Sequence, residues 1–213
     1  MTLEEKSLII ALTLGDGHIA PEGRLIINHC EKQKGYLLYK ADIVNKIIGK
    51  KPVTIHKTKN IVKGKEYFGY TMRKCCKAKL QEIYDLVYPN KKKVISREVL
   101  DYLTPQDIAI WYMDDGTLYP DKKDGKIRAW KLRIATYLSK EENQVIVDYF
   151  KEKWDIQFHI HKDGNKYLIG MGTKEAKRFL TLVKPYIDEV ECMKYKVRIF
   201  DTSAEHKESD DIV

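Results

Sequence analysis

The stretch Ser7-Leu-Ile-Ile-Ala-Leu-Thr-Leu-Gly-Asp-Gly17 decides the fold, because a second version of it, Asp107-Ile-Ala-Ile-Trp-Tyr-Met-Asp-Asp-Gly116, follows about one hundred residues later. Each is an apolar run of roughly three helical turns. Each ends on an acid followed by Gly, which predicts a helix closed by a left-handed terminator. An apolar helix with no polar face has to be enclosed on most sides. Two such helices packed on each other would set Asp16 and Asp115 side by side, and adjacent buried anions require cations between them.

Composition bounds the reading. The chain has 213 residues, 43% of them hydrophobic, which suits one domain or two small ones with a proper core. Met1-Thr-Leu-Glu-Glu5 is acidic rather than signal-like, and no apolar run approaches the ~18 residues of a membrane span. The expectation is a soluble intracellular protein, in cytoplasm, nucleoid or organelle matrix, with no membrane partner. Cys30, Cys75, Cys76 and Cys192 lack metal-binding spacing and read as reduced thiols. Lys and Arg number 39 against 31 Asp and Glu, a net charge of +8. Residues 1–98 carry 20 basic and 10 acidic side chains, residues 99–200 carry 18 and 16, and the tail from Asp201 carries 1 and 5. The basic first half suits a polyanionic partner without by itself choosing nucleic acid.

Beyond the first helix, Arg24–Cys30 reads as a strand and Gly35–Ile48 as an amphipathic helix. Val53–Thr58 and Glu66–Arg73 read as a hairpin around Asn60–Lys65, and Ala78–Val87 as a helix stopped by Pro89. Lys91-Lys-Lys93 and a short helix near Ser96–Tyr102 lead to the helix-entry signal Thr104-Pro105. The second half repeats this order: strand Trp130–Tyr137, helix Lys140–Trp154, strands Ile156–His161 and Lys166–Met171, and helix Lys174–Val183 stopped by Pro185. Lys122–Lys126 reads as a mobile basic loop. Local parallels hold the same spacing as the two motifs: Ala78-Lys79 with Ala176-Lys177, Leu86-Val-Tyr-Pro89 with Leu182-Val-Lys-Pro185, and Tyr67 with Tyr167. The expected architecture is α+β, a duplicated αββαββα unit whose halves are related by a pseudo-twofold axis. The halves are residues 1–98 and 99–200, and residues 201–213 form an acidic tail without a core face, expected to be disordered.

An apolar helix ending in one acid and Gly, duplicated at this distance with β-rich segments after each copy, resembles the LAGLIDADG homing endonuclease family in its single-chain, two-motif form. The resemblance covers residues 3 to 200. It implies double-stranded DNA as partner, a monomeric protein with antiparallel DNA-binding sheets, and hydrolysis of both strands with Mg²⁺ or Mn²⁺, in the service of an intron or other mobile element. By resemblance, Asp16 and Asp115 hold metal with the backbone carbonyls of Gly15 and Asp114, while Lys93 and Lys196 are the basic residues beside the reacting phosphates. Asp115 is preferred to Asp114 as carboxylate ligand because it holds the same position before Gly as Asp16.

The chemistry suits those residue types. Phosphodiester hydrolysis needs an activated water and a counter-charge for the phosphate, and hard Mg²⁺ needs only one or two protein carboxylates. Recognition would fall to the strands. With Leu25, Ile27, Leu132 and Ile134 inward, the opposite faces carry Arg24, Ile26, Asn28, Cys30 and Lys131, Arg133, Ala135, Tyr137, the hairpins add Thr54, His56, Thr58, Gln157, His159 and His161, and Lys57 and Arg73 are further candidates for DNA contact. Arg, Lys, Asn and Gln can pair with base edges in a major groove. Two other functions fit the same fold: an RNA-binding maturase acting on intron RNA, and a DNA-binding regulator that does not cut.

Overall fold

The structure, a computed structural model, describes residues 1–49 and 51–200, with Val62 described by its backbone alone. The acidic tail therefore lies outside the described residues. At the centre are the two motif helices. Helix α1 (Leu3–Leu14) opens on a reciprocal cap, in which the Thr2 hydroxyl accepts the Glu5 N–H and the Glu5 carboxylate accepts the Thr2 N–H. From Ile9 to Leu14 every residue is buried.

Around α1 the first half builds strands β1 (Gly17–Ala20) and β2 (Arg24–Cys30), helix α2 (Lys34–Ile48), strands β3 (Thr54–Val62) and β4 (Lys65–Cys75), and helix α3 (Lys77–Val87). A short helix α4 (Arg97–Asp101) leads to the second motif helix, α5 (Pro105–Asp115). It carries the same kind of cap from Thr104 and Asp107, with Pro at its start, and is buried from Asp107 to Met113. The second half follows as β5 (Gly116–Lys123), β6 (Lys126–Leu138), α6 (Lys140–Trp154), β7 (His159–Asp163), β8 (Lys166–Gly172) and α7 (Thr173–Ile187), closed by a 3₁₀ segment, Glu191–Phe200.

The two antiparallel sheets have equivalent orders, β1-β2-β4-β3 and β5-β6-β8-β7. The duplicated αββαββα α+β fold read from the sequence is the fold observed. Strand alternation places Leu25 and Ile27 of β2, and Leu132 and Ile134 of β6, at zero exposure against the helices. Asn28, Cys30, Lys131 and Arg133 face the other way. Helices α1 and α5 pack on each other. The bulky Trp111 and Tyr112 turn away from that contact, Trp111 stacking on Phe150 and Tyr112 meeting Phe179 edge-on within the second half.

Several local expectations need correction. The motif glycines are not left-handed caps, since neither Gly17 nor Gly116 has a positive φ, the latter standing at −79°. Close approach is what demands glycine: a Cβ on Gly17 would sit 2.0 Å from the Leu12 carbonyl oxygen, and one on Gly116 2.0 Å from the Tyr112 ring. Strands β1 and β5 went unread because both are sheet edges, one only four residues long and the other interrupted by Pro120. The β3–β4 hairpin turns tightly at Lys63 and Gly64, both at positive φ, rather than over Asn60–Lys65. The basic loop at Lys122–Lys126 is a hairpin turn through Asp124 and Gly125. Helix α7 continues past Pro185, because its buried stripe Ala176, Phe179, Leu180, Val183 extends to Ile187.

These close approaches predict that Gly17→Ala lowers stability by about 1–3 kcal/mol, since the new methyl meets backbone that cannot yield. Gly172→Ala, where a Cβ meets nothing within 4 Å, should cost less, about 1 kcal/mol at most, since only the N-cap preference of α7 is lost. Urea unfolding midpoints compare the two.

Candidate active site

The C-terminal ends of α1 and α5 meet beneath the two sheets, and three carboxylates gather there. A helix C-terminus carries partial negative charge and leaves its last carbonyls unpaired, so acids in that place are locally unfavourable. Neither motif helix has a basic residue in its last turn. The compensation comes from elsewhere in the chain.

Lys93, in the segment after α3, donates to the carbonyls of Leu14 at 2.9 Å and Gly15 at 3.0 Å. Lys196, in the closing 3₁₀ segment, donates to the carbonyls of Tyr112 (3.4 Å), Met113, Asp114 (3.4 Å) and Gly116 (2.8 Å). Each lysine thus closes the motif helix of its own half. Burial pulls both ammoniums below the usual lysine range, Lys196 to about 8, while the three carboxylates hold them up. The carbonyls of Gly15 and Asp114, expected to face metal, each accept one of these lysines.

The acids differ in environment. The Asp16 side chain is 43% exposed, and its carboxyl is raised above the usual range, first by burial and then by the charge of Asp114. Asp115 is half-buried and accepts the Trp111 indole N–H at 3.0 Å. Burial, and then the charges of Asp114 and Asp16, push it up to about 7. The Asp114 side chain is fully buried: one oxygen lies 2.5 Å from the Lys40 ammonium and the other accepts the Asp16 backbone N–H at 3.1 Å. His29 lies 3.7 Å from the Asp16 carboxylate. Burial and the Lys40 ammonium lower its pKa to about 4, so near neutral pH its ring is uncharged and this contact is no ion pair. Its Nε2 then accepts from Lys40 at 3.0 Å, and its Nδ1–H points to the Gln33 side-chain oxygen at 3.1 Å. Asp16, His29 and Asp114 each offer a ligand atom within 4.8 Å of the others.

Lys40 and His29 were missed in the sequence although both carried a signal. Lys40 interrupts the apolar face Tyr36, Leu37, Ala41, Val44 of α2, and His29 takes an inward position of β2 after Leu25 and Ile27. A polar residue at an inward position needs a buried partner.

The outer sheet faces collect most of the candidate recognition residues. In the first sheet, Asn28, Thr71 and His56 stand in one cross-strand row, and Ile26, Arg73 and Thr54 in the next. Arg24 begins that face and pairs with Glu22. In the second, Lys131, Arg133, His159 and His161 surround one cavity of about 220 Å³ with Tyr119, whose ring lies 5.2 Å from the Arg133 guanidinium. Tyr137 lies within a register irregularity of β6, at φ 51°, and is 49% exposed. Two candidates stand apart. Lys57 lies on the opposite face, where it pairs with Glu31 at 2.9 Å and covers the Phe68 ring. Gln157 precedes β7 and spends its amide on the Phe158 carbonyl at 2.8 Å.

Residues 6–179 match the LAGLIDADG DNA endonuclease family. The chain belongs to that family. Among solved structures it is similar to the homing endonuclease I-WcaI bound to its DNA recognition sequence, with a TM-score of 0.77 and 23% identity over 92% of this chain and 86% of that one. It also shares the fold of the LAGLIDADG meganuclease I-AabMI bound to uncleaved DNA, at a TM-score of 0.52 and 10% identity over 91% and 89%. By sequence it is 27% identical over 209 residues to a RecA protein of Mycobacterium gastri, covering 91% of this chain and 47% of that protein. It is 33% identical over 109 residues to a probable intron-encoded endonuclease 1 of Wickerhamomyces canadensis, covering 51% and 46%. The chain thus spans about half the length of these relatives. Among the described residues no helix is long and apolar enough to cross a membrane.

The raised acids set a pH dependence for this LAGLIDADG site. Stability contributed by the neutral form of Asp115 is complete below its unfolded value of about 4 and is lost as pH rises through about 7. Asp16 shifts in the same direction, whereas Lys196 acts only above about 8. His29, lowered to about 4, contributes in the opposite direction between about 4 and its unfolded value of about 6.5, so the acid is read by difference: in thermal melts in a chelator, the Tm of Asp115→Asn should gain on that of wild type as pH rises from about 4 to about 7.

Proposed function

We propose that this chain is a site-specific endonuclease that binds a long double-stranded DNA site and hydrolyses both strands with Mg²⁺ or Mn²⁺, as a monomer, in the homing of an intron or other mobile element. The observation that carries the reading is the meeting of the two motif-helix ends, an acid that is at least partly exposed on each and a lysine closing each, in a molecule with two polar sheet faces. A single duplicated chain supplies one half-site to each strand of the duplex: residues 1–98 in one half and 99–200 in the other.

The donor set suits a hard divalent cation. Its carboxylate oxygens are the hard donors such an ion takes, and burial first, then their acidic neighbours, raise the proton affinity of both Asp16 and Asp115. Asp16 and Asp115 would hold the ion, with the carbonyls of Gly15 and Asp114 lining the site. A bound ion would supply an activated water and neutralise charge on the phosphate. Lys93 and Lys196 hold the helix ends in position and set positive charge beside the reacting phosphates. The outer-face residues Arg24, Asn28, Arg73, Lys131, Arg133, Tyr137, His159 and His161 would read the duplex, with Lys57 and Gln157 contributing from the margins.

A second reading has a specific observation behind it. A cytochrome b mRNA maturase bI2 of Debaryomyces hansenii is 31% identical over 119 residues, 54% of this chain and 41% of that protein. An intron RNA bound by the same basic surface would leave the carboxylates idle. In either role the protein works inside the cell, where its nucleic acid is.

Selection of cleavable sites from a randomised duplex library with Mg²⁺ tests the proposal. Asp16→Asn and Asp115→Asn should each lower cutting of a selected site by roughly 10²-fold or more. Affinity for the duplex measured in Ca²⁺ should stay within about threefold, since neither acid reads a base. Affinity should also drop steeply between about 50 and 200 mM salt as phosphate contacts are screened. Normal cutting by both variants would sink the assignment, and tight binding of intron RNA without duplex cutting would favour the maturase role.

A further inference from the structure

Among the positions at which the two motifs differ, one lies directly before the metal-site acid: Gly15 in the first, and Asp114 in the second. The difference is steric. A Cβ on Gly15 would lie 2.2 Å from one Asp114 carboxylate oxygen and 2.4 Å from the Asp114 Cβ, so the room for a side chain at this crossing is single and Asp114 fills it. One buried carboxylate needs one cation, and the chain supplies it. Lys40, at zero exposure, reaches from α2 of the first half to Asp114 of the second, with its ammonium 4.3 Å from the centre of the Tyr36 ring and bonded to His29. The corresponding helix of the second half offers no such charge. Its buried Asn143 bonds to Thr136 and to the Ser139 carbonyl, both in its own half.

We propose that Gly15, Asp114 and Lys40 form an asymmetric lock in which the Lys40 ammonium is a resident cation, holding the third carboxylate away from divalent metal and using it to position Asp16. Asp114 turns its second oxygen to the Asp16 N–H, so the backbone that carries one metal-site acid is anchored by the other half of the molecule. Lys40 is a positioning residue: it acts through Asp114 and touches no reacting atom. With the ammonium present, two acids remain open to metal, Asp16 and Asp115. Without it there are three, and a buried carboxylate has lost the ammonium bonded to it, which breaks a pair at a cost far above what the pair contributes when intact.

The lock rests on the metal-site reading but is tested apart from cutting, by Mn²⁺ binding to the full chain without DNA and by urea unfolding of wild type, Lys40→Met, Asp114→Asn, Asp16→Asn and the double variant Lys40→Met/Asp114→Asn. Lys40→Met should bind Mn²⁺ about tenfold more tightly than wild type and gain more thermal stability from it, because the freed carboxylate takes a cation in exchange for the lost one. The double variant should recover stability relative to Lys40→Met and keep wild-type Mn²⁺ affinity within about threefold, since the Asp114 carboxylate was never a ligand. Asp16→Asn should lose affinity. If Lys40→Met fails to fold, the double variant decides. Loss of Mn²⁺ binding in the double variant as large as in Asp16→Asn would make Asp114 a metal ligand and overturn the lock, as would unchanged affinity in a folded Lys40→Met. A wild type that binds Mn²⁺ yet cuts no duplex would remove the nuclease reading and leave the lock standing. A wild type that binds no Mn²⁺ would sink both.

Discussion

Like charge forced together at two helix ends is the constraint on which the rest of the structure depends. Carboxylates sit where the helix dipoles are already negative, and their neighbours are largely desolvated. Three ammoniums, from Lys40, Lys93 and Lys196, come from segments distant in sequence and converge on those ends. None is an incidental surface lysine. Lys93 and Lys196 each neutralise the helix end of their own half, while Lys40 reaches across to Asp114, so with that lysine neutralising a helix end and joining the two halves are the same act. Asp16 and Asp115 are both raised even so, first by burial and then by the charge of their acidic neighbours.

Duplication explains the architecture, and its imperfections explain the individuality of the site. Both halves run helix, hairpin, helix, hairpin, helix, and both sheets share one strand order. Exact symmetry would have put two glycines or two acids at the helix crossing. Gly15 opposite Asp114 resolves the crowding, and Lys40 then has no partner-half counterpart. The sheets diverge as well. The β2–β4 ladder is unbroken from Arg24 to Cys30, whereas β6 slips between Ile134 and Leu138 and holds Tyr137 at positive φ. A bulge of that kind re-aims side chains, so the two outer faces present different surfaces. That suits a duplex target without strict palindromy.

The membership of the LAGLIDADG family and the fold stand on the family match and on the structural likeness to I-WcaI. Catalysis, metal and homing are proposals resting on the site. The relatives named as intron-encoded endonucleases and as a maturase share only part of their length with this chain, and the acids at the helix ends are what distinguish a cutting role from a binding one.

Much of this was legible in the sequence because it depends on periodicity and repetition. Two apolar runs with no polar face could only be buried helices, and the spacing of Asp16 and Asp115, with the matched pairs around Ala78 and Ala176, declared the duplication. Strand alternation sorted Leu25 and Ile27 from Asn28 and Cys30 without coordinates. An acid at the wrong end of a helix was itself a sign that a local rule had been broken for function. The ladder of neighbours could not be read in this way. That Lys93 and Lys196 bond to helix carbonyls, that Asp114 is walled in by Gly15 and neutralised by Lys40, and that Lys57 turns from the face it was assigned to are facts about residues far apart in sequence. Only packing brings them within a hydrogen bond of each other, because the energy of a buried charge is set by what surrounds it in space and not by what adjoins it in the chain.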